Sequence, residues 1–253
     1  MVVTVNATLN RYERKYLIDR RQKEALIALF ERYLDFDLYS QDGSSYRVLN
    51  IYYDTHDFHV IRRSIEKPVF KEKLRLRCYD YPLLDDSIVY FEIKKKYRSR
   101  VNKRRVPMTF AQAKSYIEKK TKPDFGDYAN DQKMAEIDYL VRTKSAEPKT
   151  VVRYARLGMN TKDNGLRVTF DQDLAFNSRF TSFEKLEGAS YASVLASDQY
   201  AILEVKSDQN FPLWLVKALS DLEIYSQPFS KYGKAYTQYL IGGFPHDDLL
   251  YHP

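Results

Sequence analysis

The sequence predicts an α+β protein in which antiparallel strands carry the fold and helices are inserted between them. Three observations predict it. A charge alternation of period two recurs in several separate segments, which is the mark of strands showing one face to charge and the other to a core. Between those segments, apolar residues recur at helical spacing. No internal repeat, low-complexity tract or linker interrupts the chain, so its 253 residues are read as one domain, 1–253.

The alternation is clearest in Lys71-Glu72-Lys73-Leu74-Arg75-Leu76-Arg77-Cys78-Tyr79. Lys71, Lys73, Arg75 and Arg77 form one row, while Leu74, Leu76 and Cys78 form the other. One such strand alone would be read as a solvated face over a core. Repetition argues for more. Arg11, Glu13 and Lys15 share a face, as do Glu92, Lys94, Lys96 and Arg98, and so do Glu204 and Lys206 opposite Leu203 and Val205. Arg167, Thr169 and Asp171 do the same, less strongly, against Leu166, Val168 and Phe170. A sheet with mostly positive charge on one face is either an open basic platform or a barrel with a polar lumen. Both take a polyanion.

In chain order, the first strand (11–17) leads through the N-cap candidate Asp19 into a helix from Arg20 to about Tyr33, with Ala25, Leu26, Leu29, Phe30 and Tyr33 on one stripe. A polar turn at 40–45 precedes a strand at 48–54, closed by Asp54-Thr55-His56-Asp57, and a short helix is expected at 58–64. The two basic strands follow, parted by Pro82 and Asp85-Asp86 as in an antiparallel hairpin with a long loop. Helices are expected at 109–119 and 131–143, a strand at 151–156, a turn-rich loop from Gly158 to Gly165, and the Arg167 strand. Residues 184–199 are polar and unpatterned. After the Glu204 strand, Phe211-Pro212 starts a helix holding Trp214, a core candidate, and 230–240 is a last helix.

Composition sets limits on partners. Hydrophobic content of 44% with 15% aromatic is that of a folded chain, and the net charge of +7 favours an anionic partner. The single cysteine, Cys78, excludes a disulfide framework and a cysteine metal cluster, and suits a reducing cytosol. Neither a signal peptide nor a membrane-spanning run is legible, so a soluble cytoplasmic protein is expected. His56, His59, His246 and His252 lack metal-ligand spacing. The basic run through Lys94-Lys95-Lys96 to Lys103-Arg104-Arg105 comes without a phosphate loop, zinc finger or RNA-stacking signature. Nucleic acid is therefore not expected as a partner, and Lys103 to Arg105 read as a solvated loop or rim.

The sequence resembles the VTC (vacuolar transporter chaperone) domain family, the polyphosphate polymerase branch of the CYTH-like triphosphate tunnel metalloenzymes. The resemblance rests on order and spacing: Arg11-Tyr12-Glu13-Arg14-Lys15-Tyr16, Tyr52-Tyr53-Asp54-Thr55, Lys73-Leu74-Arg75-Leu76-Arg77, Glu92-Ile93-Lys94, Tyr154-Ala155-Arg156, Leu166-Arg167-Val168-Thr169, Leu203-Glu204-Val205-Lys206 and Phe229-Ser230-Lys231-Tyr232. It implies a closed antiparallel β-barrel, the triphosphate tunnel, with helices packed around it. It also implies transfer of the terminal phosphate of ATP to a growing polyphosphate chain. Arg75, Arg77, Lys94, Arg156 and Arg167 would serve catalysis. Lys15, Lys73, Lys206 and Lys231 would bind substrate, Glu204 would hold a divalent metal, Mn2+ or Mg2+, and Glu13 and Glu92 would balance charge or join the metal.

One position departs from the sister branch of adenylyl cyclases and triphosphatases, which typically starts with two glutamates and a lysine at alternating positions. Here the first is Arg11, which tilts the resemblance towards the polymerase branch. A triphosphatase using the same tunnel, with water as acceptor, and a non-catalytic polyphosphate-binding module are the rival readings. Any coupling to a membrane channel would need a separate membrane-protein partner. Oligomeric state is not legible.

Overall fold

A computed structural model describes residues 12–79, 82–98, 100–186, 188–195 and 199–239. The strands are β1 (Tyr12–Asp19), β2 (Asp35–Phe36), β3 (Tyr46–Asp54), β4 (Phe70–Cys78), β5 (Ile88–Tyr97), β6 (Arg100–Thr109), β7 (Glu147–Asn160), β8 (Leu166–Asn177), β9 (Ala192–Ser193) and β10 (Tyr200–Ser207). The helices are α1 (Arg20–Phe30), α2 (His59–Ile65), α3 (Phe110–Lys119), α4 (Tyr128–Thr143), α5 (Leu213–Asp221) and α6 (Lys231–Tyr239). All strands join one antiparallel sheet in the order β1-β10-β8-β7-β3-β4-β5-β6, with β2 on β7 and β9 on β8.

The sheet is open, which corrects the closed barrel expected from the sequence. Among the described residues no ladder joins the two terminal strands, β1 and β6. The reason lies at both edges. The stretch before α6 docks on β1, where Gln227 N donates to the Lys15 carbonyl at 2.9 Å, taking an acceptor that a further strand would need. The β6 edge carries Arg100, Lys103 and Arg104, charges that discourage strand addition. The sheet nevertheless curls strongly. Lys94 on β5 and Glu13 on β1 are far apart in strand order, yet their charged groups meet at 3.5 Å.

Two apolar cores lie on the convex face, because each strand's apolar row points there. Tyr16, Ile18, Val168, Phe170, Leu203 and Val205 pack under α1 and α5 with Leu26, Phe30 and Leu215. Trp214 belongs here and stacks on Tyr33 with centroids 4.3 Å apart. Leu74, Leu76, Phe91, Ile93, Val106 and Met108 pack under α3 and α4 with Tyr116, Met134 and Ile137. Asp19 caps α1 and Thr109 caps α3, each in a reciprocal box with the glutamine three residues on.

A third cluster fills one end of the concave side, where α2 and α6 meet Val48, Tyr52, Val152, Phe176 and Ile202. Asp54 organises it. Its carboxylate accepts from Val60 N at 2.8 Å and Ile61 N at 3.0 Å, satisfying backbone donors of α2 that no N-cap side chain serves, and from the Tyr232 hydroxyl of α6 at 2.9 Å. The strand end noticed in the sequence therefore has a structural task.

Other elements run longer than the sequence implied. Residues 100–109 form a strand rather than a basic loop, β7 continues through Gly158 to Asn160, and the polar stretch 184–199 contributes β9 and the buried Leu186, Val194 and Leu195.

A cationic concave face as candidate functional site

The registers place the charged rows on one face. Arg75 lies opposite Tyr52 and Glu92, and Arg77 opposite Asn50 and Tyr90. Lys94 pairs with Lys73 and Lys103, and Glu92 with Arg105. Across the sheet Arg156 pairs with Asp171, Asn160 with Arg167, Arg167 with Lys206, Thr169 with Glu204, Glu204 with Lys15, and Lys206 with Glu13. Since paired residues of a sheet point to the same side, all these groups line the concave face. Lys231 reaches it from the first turn of α6 and touches Asp171 at 2.5 Å.

Three carboxylates hold this charge together. Glu92, whose side chain is 1% exposed, is ion-paired with Arg75 at 2.7 Å and Lys103 at 2.6 Å, with Arg105 at 3.4 Å and Arg77 at 3.7 Å. Burial alone would raise its pKa, but the Arg75, Arg77 and Lys103 charges outweigh burial and hold it well below the usual carboxylate value. Asp171 receives a two-pronged bond from Arg156 at 2.6 and 2.7 Å and the Lys231 contact. Against its complete burial, Arg156 and Lys231 hold it at about 2. Glu204 contacts Lys206 and lies 3.6 Å from Lys15, which also reaches Glu13 at 3.4 Å. It too is held well below its usual value, as burial is outweighed by Lys206 and Lys15.

The cations outnumber these carboxylates, and some sit in a state that an anion would relieve. Burial first, then Lys71, Lys15, Lys94 and Arg75, push Lys73 down to about 7, although its ammonium donates to Ser230 Oγ at 2.9 Å. Lys103 is pushed to about 7 by burial in spite of Glu92. Arg77 is fixed by Asn50 Oδ1 at 2.9 Å, and Arg75 by the Tyr52 hydroxyl at 3.2 Å. Tyr154 lies beneath Lys231 and Arg156, 4.7 and 5.2 Å from its ring centre. Such a face has the chemistry to take several adjacent phosphates, with planar arginine forks set on a sheet and lysines as point charges between them.

The family model of the VTC domain matches residues 10–240. The chain belongs to the VTC domain family. Among solved structures, a Bacillus halodurans protein described as a candidate adenylate cyclase superposes with a TM-score of 0.54 at 14% identity, covering 89% of this chain and 96% of that one. A Vibrio parahaemolyticus protein of the same description gives 0.46 at 10% identity, covering 91% and 99%. The first shares the fold. No curated protein matches the sequence.

In this VTC domain, Lys15, Lys73, Arg75, Arg77, Lys94, Arg156, Lys206, Lys231, Glu13, Glu92 and Glu204 all come together on the concave face. Arg167 shares it but is drawn to one end, where it bonds Asp37 at 2.9 Å. Arg11, His246 and His252 lie outside the described residues. Sequence reasoning passed over Lys103 and Arg105, whose alternation with Arg104, Val106 and Met108 carried the strand signal beneath a basic run and Pro107. It noted Asp171 without assigning it a task. Asp37, Tyr52 and Tyr154 carried no charge pattern that could have marked them.

Glu13 and Glu204 are two carboxylates on this face that could hold a hard divalent cation. Both are held in the ionised form. The buried Thr169 hydroxyl, opposite Glu204 in the ladder, has no hydrogen-bond partner among the described residues. No cluster of three carboxylate, histidine or cysteine side chains occurs among the described residues. A cation here would share its coordination with phosphate oxygens and water, as magnesium commonly does. No helix among the described residues is long and apolar enough to cross a membrane.

Proposed function

We propose that this VTC domain is a metal-dependent polyphosphate polymerase, transferring the terminal phosphate of ATP to the end of a polyphosphate chain and releasing ADP. The observation that carries this reading is the convergence of Arg75, Arg77, Lys94, Arg156, Lys15, Lys73, Lys206 and Lys231 on one concave face, with three ionised carboxylates holding them in place. In the transfer, an oxygen of the terminal polyphosphate attacks the γ-phosphorus. The bond from that phosphorus to the β,γ-bridging oxygen breaks, and its electron pair leaves with ADP. Nucleophile and leaving group are both anions, so the protein needs no strong base and no covalent intermediate.

What such chemistry asks of a protein is alignment and charge compensation. Arg75 and Arg77, locked by Glu92, Tyr52 and Asn50, present fixed donors to the equatorial oxygens in the transition state, where preorganised charge is worth most. Arg156, Lys94 and Arg167 complete that set, while Lys15, Lys73, Lys206 and Lys231 hold the donor and the acceptor chain side by side. Glu204 would hold Mn2+ or Mg2+, with Glu13 and Thr169 beside it, and the cation supplies further neutralisation of the bound phosphates. Glu92, ringed by cations, serves as a counterion.

The experiment is to incubate purified protein with γ-labelled ATP and either metal, then resolve products by chain length. ADP release matched by lengthening chains supports transfer. Release of free phosphate without chain growth would overturn it in favour of hydrolysis, and no turnover would leave a binding module.

A further inference from the structure

At the end of the concave face away from α6, four tyrosines from separate segments gather around the arginines. Tyr46 is opposite Arg156 and Tyr90 opposite Arg77, so both rings belong to the charged face. Tyr79 lies 6.1 Å from Tyr46 and 5.7 Å from Tyr90 between ring centres. Tyr39 stacks on Tyr79 at 5.6 Å with ring planes 16° apart, and lies 5.2 Å from Tyr46.

Two guanidinium groups are interleaved with these rings. Arg105 lies 3.4 Å above the centre of Tyr90, and both Arg105 and Arg77 donate to the Tyr79 hydroxyl at 3.3 Å. The aromatic group thus begins where the phosphate-gripping residues end. It is also open: Tyr39 is 49% exposed and the adjoining Leu38 is 74% exposed. A core aromatic cluster would shut its rings away.

The turn that presents Tyr39 is tied to its surroundings through Asp37. Asp37 Oδ1 accepts from Tyr39 N at 3.1 Å, while Asp37 Oδ2 takes Arg167 at 2.9 Å and the Tyr46 hydroxyl at 3.4 Å. The Asp37 carboxylate lies so close to the Gly158 Cα that a Cβ there would run into it. The backbone that carries this half-exposed ring is therefore held by the same carboxylate that fixes Arg167.

We propose that this tyrosine group is a docking platform for the base of a nucleoside triphosphate, with Tyr39 as the stacking surface. The proposal rests on the phosphate-binding reading above and adds to it a means of telling a nucleotide from an inorganic polyphosphate. Flat aromatic rings beside arginines stack on any base, and stacking of this kind discriminates by the presence of a π-face rather than by hydrogen-bond pattern. The platform should accept different bases with little preference.

The test is titration of metal-free protein with ATP and, separately, with inorganic triphosphate, for the native chain, Tyr39→Ala and Tyr39→Trp. Tyr39→Ala should weaken ATP roughly tenfold and leave triphosphate affinity unchanged. Tyr39→Trp should keep ATP affinity, and its new indole fluorescence should change with ATP but not with triphosphate, against the constant background of Trp214 in the convex core. Equal losses for both ligands, or no loss for ATP, would overturn the platform while leaving the phosphate site standing. If the native chain bound neither ligand, the phosphate-binding reading would fall, and the platform with it.

Discussion

Glu92→Gln removes the charge at the centre of four cations while keeping shape and most contacts. The structure sets the size of the effect. Arg75 and Arg77, with side chains 22% and 8% exposed, lose a counterion they cannot replace from solvent, whereas Lys103 and Arg105, 42% and 37% exposed, can turn to water. Breaking a buried pair typically costs about 3–5 kcal/mol, and partial solvent access for half of the partners places this case near about 3 kcal/mol. The pH dependence has a definite sign. Glu92 has its folded pKa depressed below the ordinary 4.5, so its contribution is present above that value and lost as pH falls through the folded pKa. Urea unfolding at pH 7 should show the deficit, and the gap between native chain and variant should narrow on acidification below about 4.5. Triphosphate should stabilise the variant more than the native chain, because the bound anion takes the place of the missing charge. A deficit below about 1 kcal/mol, or a gap that widens in acid, would refute Glu92 as the counterion of this face.

Lys73 and Lys103, both depressed to about 7, should regain protons when an anion binds beside them. Triphosphate binding is then accompanied by proton uptake between about pH 7 and the ordinary lysine value of 10.5, and affinity falls as pH rises across that window; calorimetry in buffers of different ionisation enthalpy reads the uptake directly. Glu204→Gln should lower metal-dependent ADP release by orders of magnitude while metal-free polyphosphate binding holds or strengthens, and an unchanged rate would make Glu204 a counterion only. Gly158→Ala should force Asp37 away and loosen both Arg167 and Tyr39, costing about 1–3 kcal/mol of stability in thermal or urea unfolding, and an unaffected melt would show that the turn yields freely.

Much of the sheet was legible because its strands obey a simple rule, with charge to one side and apolar residues to the other. That rule placed β1, β4, β5, β8 and β10 and, through them, nearly all of the concave residues. It failed on β6 because Arg100 to Arg105 is so basic that the alternation of Val106 and Met108 was masked, and because Pro107 argues against a strand unless the strand lies at an edge, as β6 does. Closure of the sheet was not legible at all. It turns on whether the edge of β1 is free, and the segment around Gln227 that occupies it lies more than two hundred residues away in sequence. The same distance hides the tyrosine group, whose members come from the turn after β2, the start of β3, the end of β4 and the start of β5, and carry no common spacing. Asp171 was visible as a neighbour of Arg167, but its partners Arg156 and Lys231 come from another strand and from α6.

The central claim, that the concave face is a phosphate-binding site, is tested most directly by calorimetric titration of inorganic triphosphate into metal-free native protein and Arg75→Ala. Each charge-assisted contact is worth about 1.5–3 kcal/mol, and Glu92 keeps Lys103, Arg77 and Arg105 when Arg75 is removed, so the fold should survive. The account predicts tight binding by the native chain and a loss of roughly one to two decades in affinity for Arg75→Ala, with unchanged far-ultraviolet dichroism. Equal affinity in the two proteins would contradict it.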